Sequence, residues 1–157
     1  MIDFEIREAR EDDVEELFEL YALVVEEGKA FPAIPPASQK DFEQTWMKDK
    51  TVVVVARSGR RLAGSYHLLP NFAGRAAHIG NAGYMVHPDF RRQGIGRALV
   101  EHSITEASRH SFDALMFNLV FESNPARHLY EGFGFKAVGR VPEAVEGEDA
   151  IVFWRRV

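Results

Sequence analysis

Apolar residues recur every three to four positions between residues 14 and 25, with Val14, Leu17, Phe18, Tyr21 and Val25 on one face, which predicts an amphipathic helix. Glu11, Asp12 and Asp13 precede it, where carboxylates complement the positive helix end, and Gly28 follows as a stop. Ahead of the helix, Phe4 to Glu8 alternates with the period of a short strand. The segment Phe31-Pro-Ala-Ile-Pro-Pro-Ala37 cannot be helical, because proline lacks a donor and pushes its neighbour toward extended backbone. Ser38 is placed to cap a short helix from about Gln39 to Lys48. Thr51 to Ala56, five β-branched residues followed by an alanine, reads as a buried strand. Ser58-Gly59 turns it back into Arg61 to Leu69 as a hairpin.

Residues 71–80 read as a loop and 81–88 as the next strand. A helix from about Gly94 to His110 follows, burying Ile95, Ala98, Leu99, His102 and Ala107. Ala114 to Phe121 is a further strand. Asn124-Pro125 opens a helix with a capping side chain and a proline at the first helical position. Its apolar face is Ala126, Leu129, Tyr130 and Phe133, and Gly132 and Gly134 end it. Two strands, about Lys136–Val141 and Ala150–Trp154, close the chain across an acidic turn. Hairpins first, then strands alternating with helices, predict a mixed α/β or α+β sandwich around one sheet. There is no internal repeat, linker or low-complexity tract, so residues 1–157 read as a single domain.

Composition narrows the possibilities. A chain of 157 residues that is 46% hydrophobic buries a sizeable core. Cysteine is absent, which excludes disulfides and thiolate chemistry and agrees with a reducing compartment. The charged N-terminus does not resemble a secretory signal and no apolar run reaches membrane-spanning length, so a cytoplasmic location without membrane attachment is expected. A net charge of −5 argues against general nucleic-acid affinity. Basic residues around 91–97 are therefore a local feature on an acidic protein, and that contrast favours a small anionic ligand.

Arg91, Arg92, Gln93, Gly94, Ile95, Gly96 and Arg97 join a strand directly to a helix. Glycines at a helix opening leave main-chain N–H groups free to form an anion-binding nest, and arginines add forked donors suited to phosphate oxygens. The spacing R-x-x-G-x-G lacks the Lys-Ser/Thr of a P-loop and the third glycine of a dinucleotide fingerprint. The physical reading is a pyrophosphate site; a plain glycine-containing loop is the alternative.

Two stretches carry a resemblance. Val86-His-Pro-Asp-Phe-Arg-Arg-Gln-Gly-Ile-Gly96 fits V-x-P-x-x-R-x-x-G-x-G, and Asn124-Pro-Ala-Arg-His-Leu-Tyr-Glu-Gly-Phe133 carries an asparagine-opened helix ending in Leu-Tyr and Gly-Phe. Together they resemble the GNAT superfamily of acetyl-CoA-dependent N-acetyltransferases, and the element order fits almost the whole chain. The resemblance implies a mostly antiparallel mixed sheet of about seven strands flanked by about four helices, with acetyl-CoA as co-substrate and no metal. It implies that Tyr84, Met85 and Val86 run beside the pantetheine arm, that Arg92 to Arg97 hold the pyrophosphate with Arg91 nearby, and that Arg127 belongs to the cofactor-binding set. Asn124 would contact the thioester region, and Tyr130 would act near the sulfur as general acid. Val86 and Tyr130 at core positions, and Asn124 as a helix cap, are the purely structural readings.

A closer likeness lies in Leu69-Pro-Asn-Phe-Ala-Gly-Arg75, Asn81-Ala-Gly-Tyr84, Phe117-Asn-Leu-Val-Phe-Glu-Ser-Asn124 and Gly139-Arg-Val-Pro142. These are similar to fungal acetyltransferases that modify proline analogues such as azetidine-2-carboxylate. That likeness implies a small-molecule amine acceptor whose carboxylate meets main-chain N–H groups at Asn118 and Leu119, with Asn81 beside it. Many peptide-acetylating relatives place a glutamate where Leu119 stands. The general base is left open among His67, His78 and Glu122. A strand bulge near Met85–Val86 is expected to open the slot for both substrates and supply the oxyanion donor. Phe31–Pro36, Phe72 and the Asn81 region are expected to shape the acceptor pocket. A peptide N-terminal acetyltransferase and a non-catalytic acyl-CoA-sensing module are the competing functions. A homodimer through the strand bearing Phe153 and Trp154 competes with burial of that strand in the monomer.

Overall fold

The computed structural model describes residues 2–157. Seven strands form one sheet in the order β1-β2-β3-β4-β5-β7-β6. They are β1 (Glu5–Glu8), β2 (Val52–Ser58), β3 (Arg61–Pro70), β4 (Ile79–Val86), β5 (Ala114–Phe121), β6 (Lys136–Val145) and β7 (Glu148–Arg156). All neighbours are antiparallel except β4 and β5. The helices are α1 (Val14–Glu27), α2 (Gln39–Phe42, continued as a π-turn over Glu43–Met47), α3 (Ile95–Arg109) and α4 (Ala126–Gly132).

The continuous β2 run is explained by burial on both sides. Val53 and Val55 pack with Leu17, Tyr21, Phe42 and Trp46 under α1 and α2. Val52, Val54 and Ala56 pack with Leu99, Leu115 and Phe153 on the face of α3 and α4. A strand covered twice needs no polar alternation. Leu20 and Val24 widen the buried face of α1 beyond the expected set. Asp13, 2% exposed, accepts from Arg7 and Arg57 and so ties the start of α1 to β1 and β2. Phe153 is fully buried in the core, whereas Trp154 on the same strand is half-buried.

The chain opens the sheet at one place. β4 and β5 share only the pairs Ile79–Ala114 and Gly80–Leu115, then diverge. The expected bulge in β4 is absent: β3 and β4 keep an unbroken register from Gly64–Val86 to Pro70–Gly80. It lies in β5 instead, where Phe117 faces Phe153 but Val120 faces Ile151, so Asn118 and Leu119 together oppose Val152. An extra residue bends and twists its strand, and here the bent strand borders the gap.

Boundaries differ elsewhere in instructive ways. β4 begins at Ile79 rather than 81, because Asn71 N donates to Ile79 O (2.8 Å) and prolongs the β3–β4 ladder. The acidic segment before Ala150 is strand rather than turn: β6 and β7 extend to a tight reversal at Glu146-Gly147, both at positive φ (50° and 79°). Among the described residues no helix is long and apolar enough to cross a membrane.

Candidate active site

The turn between β4 and α3 has the geometry its glycines predict. Arg92 and Gly94 adopt left-handed backbone (φ 60° and 87°). The first helical hydrogen bond is Ala98 N to Gly94 O (3.0 Å), so the N–H groups of Ile95, Gly96 and Arg97 have no carbonyl within the helix. Gly96 borders a channel of about 300 Å³ that runs past Tyr84, Val86, Arg92, Asn124 and Tyr130. A Cβ on Gly96 would sit 3.6 Å from Val86 and 3.8 Å from Leu129, so the glycine holds open the space between β4 and α4. Unbonded N–H groups beside a cavity, with positive partial charge and an arginine at its rim, fit the diphosphate of a coenzyme A.

The four arginines are not equivalent. Arg92 lines the channel. Arg91 does too, but its guanidinium is engaged by Glu27 (2.7 and 2.6 Å), and its Nε donates to Val86 O (3.2 Å). Arg97 lies over the Phe133 ring at 5.0 Å. Arg127 donates to Glu122 O (2.9 Å) and lines neither the channel nor the second cavity described below. Gln93 donates to Asp89 O (3.2 Å), bracing the turn.

Ladder parity decides which β4 groups face the gap. His87 N donates to Ala63 O and Asn71 N to Ile79 O (both 2.8 Å), which assigns the odd-numbered residues to β3. The main-chain groups of Ala82, Tyr84 and Val86 therefore turn to the gap, whereas those of Met85 are spent on β3. Ala82 N is already satisfied by Asn81 Oδ1 (2.7 Å). The N–H and C=O of Tyr84 and the N–H of Val86, whose C=O accepts from Arg91 Nε, are left to pair with an extended ligand or to meet an oxyanion, and Met85 contributes its buried side chain.

A second cavity, of about 220 Å³, meets the first at Ala30, Tyr84, Asn124 and Tyr130, which line both. At this junction the Tyr130 ring packs 4.8 Å from Phe117, and burial holds its pKa well above that of a free phenol. Among the described residues nothing bonds its hydroxyl. Asn124 caps α4 through Oδ1 to Ala126 N (2.9 Å), leaving its Nδ2 unspent. Tyr84 commits its hydroxyl to Ser103 (2.6 Å).

The second cavity is walled by Phe31, Trp46, His67 and Phe117 and floored by Asn81, Asn118 and Leu119; among the described residues no Asp, Glu, Lys or Arg lines it. Its walls are fixed, since Trp46 Nε1 donates to Ser65 Oγ (3.0 Å), which donates to Val54 O (2.7 Å). The parity after the bulge, set by Glu122 N to Asp149 O (3.0 Å), turns the main chain of Leu119 toward the gap. Of the three base candidates only His67 lines this cavity. It is buried, stands edge-on to Trp46 at 4.5 Å, and has a pKa lowered to about 3 by burial and, secondarily, by Lys50. His78 and Glu122 are exposed and border neither cavity. Phe72 is 43% exposed and does not line the pocket.

One residue outside the expected set matters. Asn71 bonds both Asn81 and Asn118, which lie on different strands. Its only sequence signal was a place in the Leu69-Pro-Asn-Phe segment; the contact spans 47 residues, beyond the reach of local pattern.

A family model for the acetyltransferase (GNAT) family matches residues 12–135. The chain belongs to that family. It is 29% identical over 137 residues to N-acetyltransferase aca1 of Schizosaccharomyces pombe, covering 76% of this chain and 66% of that protein. It is 37% identical over 71 residues to the ribosomal protein bS18 alanine N-acetyltransferase of Escherichia coli, covering 43% of this chain and 48% of the relative. A GCN5-related N-acetyltransferase from Kribbella flavida superposes with a TM-score of 0.91 at 29% identity, covering 98% of each chain. The match thus spans two thirds or less of these curated relatives and nearly all of the solved structure.

Proposed function

We propose that this protein transfers the acetyl group of acetyl-CoA to the amine of a small molecule, an amino acid or proline-like compound, within a ternary complex. The observation that carries this reading is the second cavity: small, aromatic, free of charged side chains, ending at the Asn118–Leu119 bulge and opening on the channel at Tyr130. The free N–H groups in the first turn of α3 hold the diphosphate, and Tyr84 and Val86 align the pantetheine arm as a strand partner. The neutral amine nitrogen forms a bond to the acetyl carbon, the carbon–sulfur bond breaks, the amine sheds its proton, and the thiolate takes one up. Holding both reactants at one junction supplies much of the acceleration. A gap-facing N–H at Tyr84 or Val86 stabilises the developing oxyanion.

Tyr130 serves the departing sulfur by a hydrogen bond. Full transfer from a phenol of pKa about 10 to a thiolate whose acid has pKa about 8.5 is uphill by roughly 2 kcal/mol even in water, and burial raises that cost. His67, neutral down to a pKa of about 3, is too weak a base to hold the amine's proton, so the proton leaves through water or the amine arrives neutral. Calorimetric titration of free amino acids into the CoA-saturated protein tests the acceptor site. Saturable uptake supports the reading; uptake only of peptides overturns it.

A peptide N-terminal acetyltransferase is the second reading, favoured by the likeness to the bS18-alanine enzyme. Leu119 weighs against it, standing where many peptide-acetylating relatives carry a glutamate.

A further inference from the structure

The side-chain amide of Asn71 bridges two strands that have already parted. Its Oδ1 accepts from Asn81 Nδ2 on β4 (3.1 Å) and from Asn118 Nδ2 on β5 (2.7 Å), and its Nδ2 donates to Asn118 Oδ1 (2.8 Å). The last main-chain pair between β4 and β5 is Gly80–Leu115, so Asn81 is the first β4 residue beyond the ladder and Asn118 is the first residue of the bulge. Asn71 itself is fixed at its main chain by donation to Ile79 O. The amide therefore takes over where the ladder stops and sets how far the two strands open.

We propose that Asn71 is the positioning residue of the acceptor pocket: it holds the Asn118–Leu119 bulge at the spacing from Asn81 that lets its main chain receive a carboxylate. This rests on the function proposed above. Among the described residues no cationic side chain lines this cavity, so a carboxylate there depends on aimed N–H dipoles, whose strength falls steeply with misalignment. A charged arginine or lysine would tolerate small displacements; an uncharged nest does not. Asn71 is thereby a specificity residue for the carboxylate end of the acceptor while touching neither the acetyl group nor coenzyme A.

Asn71→Asp is the sharpest variant. It keeps the shape and both acceptor contacts but sets a carboxylate oxygen against Asn118 Oδ1 where a donor had been. Asn71→Ala removes all three bonds. Initial rates are measured for the unaltered protein and both variants with an amino-acid acceptor, with the corresponding amine lacking the carboxylate, and with acetyl-CoA varied, alongside thermal midpoints. The expected result is a rise of about tenfold or more in KM for the amino acid, with KM for the decarboxylated amine and for acetyl-CoA within about twofold. Equal changes for both acceptors, or none for either, overturn the role of Asn71 while the functional reading stands. If the unaltered protein turns over no small amine, the functional reading fails and this inference with it.

Discussion

The guanidinium of Arg91 grips the carboxylate of Glu27 with both prongs, at 2.7 and 2.6 Å, and so fastens the end of α1 to the turn that precedes α3. Arg91 holds the carboxyl of Glu27 below the usual range against the opposing effect of burial. Both side chains remain partly in water, 42% and 33% exposed, so the pair contributes at most about 1 kcal/mol. Its contribution is present above the unfolded-state glutamate pKa of about 4.3 and is lost as pH falls through the lower folded value.

Both partners border the channel, and a carboxylate there opposes a diphosphate. Glu27→Gln is accordingly expected to bind acetyl-CoA roughly threefold more tightly at low salt, with the gain shrinking as salt is added. Titration calorimetry at two ionic strengths checks it; weaker binding would mean that Arg91 needs Glu27 to be aimed at the ligand.

Gly96 separates stability from binding. A methyl group meets only ordinary contacts there, and alanine favours a helix by about 1 kcal/mol over glycine. Gly96→Ala should therefore raise or preserve the thermal midpoint while weakening acetyl-CoA affinity, because the added atom occupies the channel between Val86 and Leu129. Unchanged affinity would place the ligand elsewhere.

Tyr130→Phe keeps the ring against Phe117 and removes only the unbonded hydroxyl. Turnover should fall about tenfold or more, the scale of one lost hydrogen bond to developing charge, with KM for acetyl-CoA nearly unchanged. Steady-state kinetics decides; equal turnover removes Tyr130 from the mechanism.

His67 gives a pH signature. Its folded pKa of about 3 lies below the unfolded value of about 6.5, so protonation favours the unfolded chain. Stability is undiminished above about pH 6.5 and declines as pH drops toward 3, by at most about 1.4 kcal/mol per pH unit for this one proton. Thermal midpoints of His67→Gln between pH 7 and 4 should decline less steeply than those of the unaltered protein. An inflection near 6.5 in kcat/KM that vanishes in the variant would instead make His67 the base.

Much of this was legible because local chemistry fixed it. The capped helices, the β2–β3 hairpin and the glycine turn into α3 all follow from neighbours within a few residues, and Asn124 and Ser38 cap as their positions predict. The bulge was not, because register slip in β5 depends on β7, some thirty residues away. Asn71 was hidden for the same reason, and the side-chain directions of Arg91 and Arg127 were set by Glu27 and the Glu122 carbonyl, which no spacing rule foresees. His67 could be named from sequence, but its lowered pKa follows from burial and from Lys50, which only the fold brings about.

The most direct test is release of free CoA thiol from acetyl-CoA by the purified protein, followed with a panel of free amino acids and a parallel panel of short peptides. The account predicts turnover with small, uncharged-side-chain amino acids or cyclic amines and little with peptides. Turnover confined to peptides, or acetyl-CoA binding with no acceptor consumed, would contradict it.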